Sequence, residues 1–410
     1  MTTNVRQPRS LRIGLIADDL TGALDAGAGF ARAGLRTVMP FGPISTAKLP
    51  VVAHVVIFNT ASREGDASVA RERSREAALR LVGDGVSLIY KKIDSVLRGH
   101  PGPEVSGVLD GIAIAHRTAR ALVAPAFPAQ GRTTVNGVQL VNGVPVPSHS
   151  GRLDHALAPA VDFCDIRDAS TDDDLQLIAR DEVANGRFLW VGSAGLASKI
   201  VDAFRSTETL TETRPTGIRH RVPDGEPNLG GAWNSVRPDR VVVVAGTVHP
   251  STVLQVAALA ANGWRHIAYD IANPQCWPDD QVMLRTFTNS GSSGVVLSTH
   301  ANLAGYRQPG GGGVAPELMG NALALLARIA PIVARVLMDG RTALVVTGGE
   351  TAFHLFAGIG VTEVEVTGEA LPGIPIGVMD VGGRPVRVAT KSGGFGGPDA
   401  LGHVCRVLIS

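Results

Sequence analysis

Short apolar runs, each closed by a polar turn and followed by helical periodicity, recur along this chain and narrow what it can fold into. In residues 11–33, LRIGLIADDLTGALDAGAGFARA, Ile13, Leu15, Ile16 and Ala17 suit a buried strand. Leu20, Leu24, Gly27, Ala28 and Ala31 then follow at helical spacing. The same order returns at 54–58 (HVVIF) with a helix over 66–81, and at 87–92 (SLIYKK) with a helix after Pro103. The run ALVAPAFP from Ala121 adds a strand, and FLWVGSAGLASKI from Phe188 is again strand, turn, helix. Such alternation predicts βα units and a mainly parallel sheet. Between these units, the Gly and Asn punctuation of 131–146 predicts a β-hairpin, and Thr171 with three following aspartates predicts a helix start.

The pattern fails over residues 205–240, where Thr, Pro, Gly, Arg and Asn leave too few apolar residues in phase for a core element. This stretch reads as an interdomain connection. Periodicity resumes at Val241 with VVVVAGTVHPSTVLQVAALAANG, and strands are predicted at 294–298 and 343–347 with a helix over 316–336 between them. Domains of 1–204 and 241–410 follow. Gly310 to Gly313 reads as a surface loop, since four glycines without an adjoining Lys or strand carry little phosphate signal.

With 44% hydrophobic and 18% charged residues, a chain of 410 residues can bury a substantial core. Lys and Arg number 38 against 37 Asp and Glu, so no basic excess argues for nucleic acid or an anionic membrane, and a small polar ligand is the better default. Cys164, Cys276 and Cys405 are far apart and form no metal or redox spacing, which suits thiols in a reducing cytoplasm. The first apolar run is broken by Asp18 and Asp19 before it could serve as a signal segment. No run in the sequence reads as long enough to span a membrane.

Four stretches carry candidate chemistry. Asp18 and Asp19 fall at the carboxyl end of the first strand, where open α/β sheets place their ligand crevice. An N-cap role accounts for one of them but not both. In KKIDSVLRGHPGPE, Lys91, Lys92, Asp94, Arg98 and His100 gather after a strand. Arg offers a forked donor for a substrate carboxylate and Asp an acceptor for a hydroxyl proton, while a solvated turn with local ion pairs is the plainer alternative. NTASRE adds Ser62 and Arg63 at another strand end. In the second half, LVVTGGETAF and ATKSGGFGGPD each run from a strand into a glycine turn, the latter after Lys391, and two such turns point towards phosphate. With 49 glycines in the chain, one such turn alone would mean little. The patterns GxxxxGK[ST] and GxGxxG are both absent.

Taken in order, IADDLTGALDA, KKIDSVLRGHPGPE, PAFPAQGR, VGSAGL, TGGETA and KSGGFG make the chain resemble the four-carbon acid sugar kinases over nearly its whole length. The resemblance implies an ATP-dependent kinase of sugar acids such as threonate, erythronate or their oxo derivatives. It implies an α/β fold, two α/β domains with mainly parallel sheets facing across a cleft, acid sugar on the first and nucleotide on the second. It implies acid-sugar contacts from Asp18, Asp19, Arg63, Lys91, Asp94 and Arg98, and ATP contacts from Gly348, Gly349, Glu350, Thr351 and Gly393. Where the family tends to have a Ser-rich GSxS turn, this chain has Gly246-Thr247-Val248-His249-Pro250-Ser251, so Thr247 or Ser251 is left to supply that hydroxyl.

For such a kinase the expected base is Asp94, with Asp19 second, and Arg98 or Lys91 would hold the substrate carboxylate. Mg²⁺ is expected with ATP, its ligands chiefly phosphates and water, and no residue is assigned to it. Two rivals compete: a two-domain binding protein that closes on an acid sugar without chemistry, and a nicotinamide-dependent oxidoreductase. The former has no use for the glycine turns and the latter lacks its fingerprint. The resemblance also implies a homodimer, which the 205–240 connection would allow to exchange domains.

Overall fold

The structure is a computed structural model that describes residues 11–47, 49–50, 52–206, 231–247, 249–277, 279–288, 294–299 and 316–410. The chain divides into two compact units, Met1–Asn228 and Leu229–Ser410. The first runs β1 (Ile13–Ala17), α1 (Leu20–Arg32), β2 (Thr37–Pro40), β3 (Val55–Asn59), α2 (Ala67–Gly83), β4 (Leu88–Lys92), α3 (Pro101–Ile114), β5 (Ala121–Ala124), β6 (Arg132–Val135), β7 (Val138–Val141), β8 (Val144–Pro145), α4 (Leu153–Ala156), β9 (Cys164–Ile166), α5 (Asp172–Ala184), β10 (Leu189–Gly192) and α6 (Ala194–Ser206).

Its main sheet has the order β2-β3-β1-β4-β10-β5-β9, every pairing parallel. Central strands of such a sheet are covered on both faces and so read as unbroken apolar runs, as β1 does with all five residues buried. The two faces are told apart by neighbouring residues of β4. Ile89 packs in the cluster that holds Phe58, Leu81 of α2 and Val105 of α3. Tyr90, pointing the other way, meets Phe30 of α1 edge-on at 6.0 Å between ring centroids. Helices therefore cover both sides. The chain leaves β1 through α1 towards β2 and later leaves the adjacent β4 through α3 towards β5, so its winding reverses there. Open α/β sheets place their ligand crevice at such a reversal, here at the carboxyl ends of β1 and β4. The predicted hairpin is a small antiparallel sheet, β6-β7-β8, and Thr171 caps α5 in a capping box with Asp174.

The second unit runs α7 (Gly231–Asn234), β11 (Arg240–Ala245), α8 (Pro250–Ala261), β12 (Arg265–Ala268), α9 (Asp280–Thr288), β13 (Gly294–Ser298), α10 (Pro316–Leu337), β14 (Thr342–Thr347), α11 (Gly349–Ile359), β15 (Val361–Leu371), β16 (Ile374–Val381), β17 (Arg384–Lys391) and α12 (Ala400–Ile409). Its strands lie in the order β12-β13-β11-β14-β17-β16-β15. The first five are parallel and β16 runs antiparallel to both neighbours. The sheet is thus mainly parallel, as expected, with β16 as its reversed strand.

Two expectations are corrected. α10 is long and apolar enough to cross a membrane by length and composition. It carries Arg328 and Arg335, however, and buries Leu325, Leu326, Ile329, Val333 and Leu337 in packing that involves α9, α11 and β14. It is a core helix whose apolar stripe recurs at helical spacing. The supposed connection over 205–240 also holds structure at its end. Trp233 of α7 is fully buried, with the Arg387 guanidinium 4.3 Å over its ring. Most of that connection, and Gly310 to Gly313, lie outside the described residues.

Candidate functional site

At the carboxyl end of β1 the chain turns through Asp18 and Asp19 into α1, and the loop after β3 is sewn to that turn. Thr60 N–H donates to Ala17 O at 2.8 Å, and Ser62 N–H to Asp18 O at 2.9 Å. These bonds deliver Arg63 onto the two acids. Its Nε lies 2.6 Å from Asp18 Oδ2 and its Nη2 2.8 Å from Asp18 Oδ1, a forked pair, while Nη2 also lies 2.6 Å from Asp19 Oδ1. Asp19 is the N-cap of α1, Oδ1 accepting from Gly22 N–H at 3.1 Å and Oδ2 from the Thr21 hydroxyl. So one acid caps the helix and the other, 1% exposed, is held by arginine. Burial pushes the Asp18 pKa up, but Arg63, with Lys91 and Lys92 behind it, more than reverses this and leaves it below the ordinary value. Burial opposes the Arg63 charge, yet Asp18, Asp19 and Asp94 together hold its pKa well above normal.

Asp94 stands two residues beyond β4 at the head of a tight turn. Its Oδ2 accepts from the backbone N–H groups of Val96 (3.3 Å) and Arg98 (3.2 Å). Leu97 adopts φ 59, a left-handed conformation unusual for this side chain, and is 1% exposed in the core. That turn folds Arg98 back so that its Nε and Nη2 each sit 2.9 Å from an Asp94 oxygen. Arg63 Nη1 is 3.9 Å away on the other side. Burial raises the Asp94 pKa, but Arg63 and Arg98 outweigh it and hold the carboxyl far below its usual range. Arg98 is 53% exposed at its side chain, the most accessible member of the cluster described so far.

Lys91 and Lys92 point to opposite faces, as neighbours on a strand must. Lys91, expected to touch substrate, is completely buried, its ammonium 2.6 Å from Glu104 Oε2 of α3 and bonded to Lys92 O. Its charge thus supports Asp18 from behind. Burial lifts the Glu104 pKa, and Lys91 only partly offsets this. Lys92 donates to Ile93 O at 2.9 Å and acts electrostatically on both Asp18 and Asp94. The hairpin adds a residue that was not picked out as a site residue. Arg132, closing PAFPAQGR at the start of β6, donates to Ser95 Oγ at 2.8 Å and acts electrostatically on Asp94 and Arg98. Gln139 on β7 anchors the same turn through Ser95 O at 2.8 Å. His100 instead bonds Gly65 O at 2.6 Å. Asp18, Asp19, Arg63, Asp94 and Arg98 are therefore brought together, Lys91 lies behind them, and Lys92, Glu104 and Arg132 complete the set. Only Glu104 and Arg132 had no local cue, since their partners lie on other elements.

In the second unit three glycine turns meet at the carboxyl ends of β11, β14 and β17. A Cβ on Gly246 would lie 2.0 Å from Thr351 Oγ1, and one on Gly393 would lie 2.6 Å from Thr247 Oγ1. Gly348, at φ 99, is the N-cap of α11 and lacks any side chain to bond the first-turn N–H groups of Gly349, Glu350 and Thr351. An uncapped helix start of this kind suits an anion. Thr247, Thr351, Gly348 and Gly393 thus converge. Ser251 lies in the first turn of α8, where its N–H donates to His249 Nδ1 at 3.2 Å. Glu350 turns outward, 3.4 Å from His354 Nε2. Lys391 is enclosed, with its ammonium on Thr252 Oγ1 at 3.0 Å and on three carbonyls of its own turn. Among the described residues no group of three or more His, Cys, Asp or Glu side chains is placed to hold a metal ion. The first unit's acids converge on a guanidinium instead.

Residues 13–167 match the family of sugar-binding N-terminal domains, and residues 242–401 the family of nucleotide-binding C-terminal domains. The chain is 29% identical to a D-threonate kinase of Bordetella bronchiseptica, the match covering 95% of each chain. It is 28% identical to a 3-oxo-tetronate kinase of Methylobacterium radiotolerans, over 97% of this chain and 100% of that one. A solved protein from Salmonella typhimurium LT2 shares the fold with a TM-score of 0.71 at 22% identity, covering 97% of this chain and 99% of its own. With both halves matched in order and full-length relatives on either side, the chain belongs to the four-carbon acid sugar kinase family.

Proposed function

We propose that the protein is an ATP-dependent kinase that phosphorylates a hydroxyl of a four-carbon sugar acid of the D-threonate, D-erythronate or 3-oxo-tetronate type. The observation that carries this reading is the uncapped start of α11, ringed by the glycine turns at 246, 348 and 393. Such a ring offers main-chain N–H groups to phosphate, which a binding protein without phosphoryl transfer would not need. The names of the full-length relatives support the kinase class and the four-carbon acids. Thr247 and Thr351 are the hydroxyls proposed to meet ATP, with Gly348, Gly349 and Gly393 lining its phosphates and Ser251 and Glu350 at the margin.

The first unit is the proposed acid-sugar site. The most exposed guanidinium of its cluster, Arg98, is positioned to exchange part of its grip on Asp94 for a substrate carboxylate, a bidentate match that a buried Lys91 cannot offer. Asp94 is then the acceptor of the hydroxyl proton, with Asp19 second. A carboxylate of depressed pKa suffices here, because the transferring phosphoryl group passes through a loose transition state in which little nucleophilic push is required. Arg63, locked between Asp18 and Asp19, fixes the acids and does not leave them. Mg²⁺, which neutralises charge on transferring phosphates, is proposed to arrive with ATP and to be held chiefly by phosphate and water. We also propose a cytoplasmic homodimer.

A coupled ADP-release screen over four-carbon sugar acids tests the activity, with ATP and NAD titrated separately into the purified protein. Turnover of at least one acid with ATP binding is the expected result. Binding of neither nucleotide, or of NAD alone, would remove the kinase reading.

A further inference from the structure

A lysine next to a glycine-rich turn in a nucleotide-binding unit is ordinarily read as a phosphate ligand. Lys391 is 0% exposed, and its ammonium donates to Thr252 Oγ1 at 3.0 Å, Ser392 O at 2.9 Å, Gly393 O at 3.1 Å and Phe395 O at 3.2 Å. An ammonium has three protons to give, so these four acceptors saturate it. The turn is gripped again from α8. Thr252 Oγ1 donates to Gly393 O at 2.8 Å, and Gln255 Nε2 reaches Phe395 O, Gly396 O and Gly397 O at 2.9–3.0 Å. Burial pulls the Lys391 pKa down to about 8.

The carbonyls of Ser392, Gly393, Phe395, Gly396 and Gly397 are thus all drawn to one side. A trans peptide is planar with its C=O and the next N–H pointing oppositely. Tying those carbonyls inward therefore turns the N–H groups of Gly393, Gly394, Gly396 and Gly397 outward, a run of main-chain donors of the kind that cups an anion. Gly393 and Gly394 sit beside Thr247 and His249, where an added Cβ would come within 2.6 Å of Thr247 Oγ1 and 3.2 Å of His249 Nε2.

We infer that Lys391, with Gln255, is a positioning residue: it holds the 392–397 turn by its carbonyls so that the opposite N–H edge receives the phosphates of the nucleotide. This rests on the nucleotide-binding reading of the second unit, but its first test does not need nucleotide. In Lys391→Met and Gln255→Leu, amide hydrogen exchange is measured in the ligand-free protein. Exchange of the Phe395 amide, which donates to Ser392 O at 3.2 Å within the turn, rises about tenfold, the order set by losing one or two net hydrogen bonds, while amides of β11 and β14 keep their protection. The same variants bind ATP at least about tenfold more weakly by calorimetry, and adenosine less affected than ATP.

Unchanged exchange at the Phe395 amide with weakened ATP binding overturns the inference, because Lys391 would then be a direct phosphate ligand. Faster exchange with unchanged ATP affinity overturns it too, because the turn would not receive phosphate. A rise in exchange spread over β11 and β14 marks global loosening in Lys391→Met and likewise counts against it unless Gln255→Leu gives the local effect alone. Should the unaltered protein bind no ATP, the function proposed above fails while the exchange result stands by itself.

Discussion

Arg63 meets Asp18 through Nε and Nη2, meets Asp19 through Nη2, and stands 3.9 Å from Asp94. A single guanidinium therefore bridges acids that could not otherwise share one small volume, and Lys91, Lys92 and Arg98 add further positive charge. Removing one partner of a buried ion pair strands the other in low dielectric, at a cost of about 3–5 kcal/mol. Arg63→Ala should lose that much in urea unfolding, and Arg63→Lys should recover only part, since one ammonium cannot span two carboxylates. Acid should act in the same direction. Asp18 and Asp94 have folded pKa values below the ordinary 3.8, so the stability they contribute is complete above that value and is lost as pH falls through their folded ones. The unaltered protein should show its urea midpoint dropping below about pH 4. Arg63→Ala should show a flatter curve over that range, and an equal slope in both would remove Arg63 as the source of the shift.

Close helix packing makes the first unit depend on small residues. α2 and α3 approach so nearly that a Cβ on Gly107 would lie 2.0 Å from Arg71 O, and one on Gly111 2.6 Å from Arg75 O. The obstacle is backbone and cannot swing aside, so Gly107→Ala should force the helices apart and cost about 1–3 kcal/mol. Thermal melting checks the loss, and turnover per folded molecule should stay near normal because neither residue lies in the carboxylate cluster. Elements such as these were legible where one periodicity ran unbroken: β1, β4 and α10 fall within a residue or two of the segments read from the sequence. The β15–β17 meander was not read. Register shifts between Val361 and Val364, Val366 and Gly368, and Glu369 and Leu371 break the two-residue alternation that would have announced it. Within the candidate site, Asp18, Asp19, Arg63, Asp94 and Arg98 could be picked out because charge crowds at strand ends. The Lys91–Glu104 pair, the Arg132–Ser95 bond and the carbonyls around Lys391 could not, since each depends on which face a side chain takes and on a partner from another element.

At the scale of the molecule the proposal divides labour, acid sugar on one unit and nucleotide on the other, and paired variants test the division. Asp94→Asn keeps size and some hydrogen bonding but removes the proton acceptor, so turnover should fall by about 10²–10⁴, the range of general-base loss. ATP affinity should barely move. Gly349→Val places a branched side chain at the first position of α11, over the N–H groups proposed to face phosphate, so nucleotide binding should weaken first and acid-sugar binding should survive. Calorimetric titration of each ligand into each variant, beside steady-state rates, separates the effects. Asn at 94 also loses charge against Arg63 and Arg98, so unfolding must be measured too; a variant that melts early explains its low turnover by stability alone. With the fold intact, near-normal turnover in Asp94→Asn would pass the base role to Asp19, whose Oδ1 and Oδ2 are already engaged by Gly22 N–H, Arg63 and Thr21. Loss of ATP binding in that variant, with acid-sugar binding kept, would instead reverse the assignment of ligands to units.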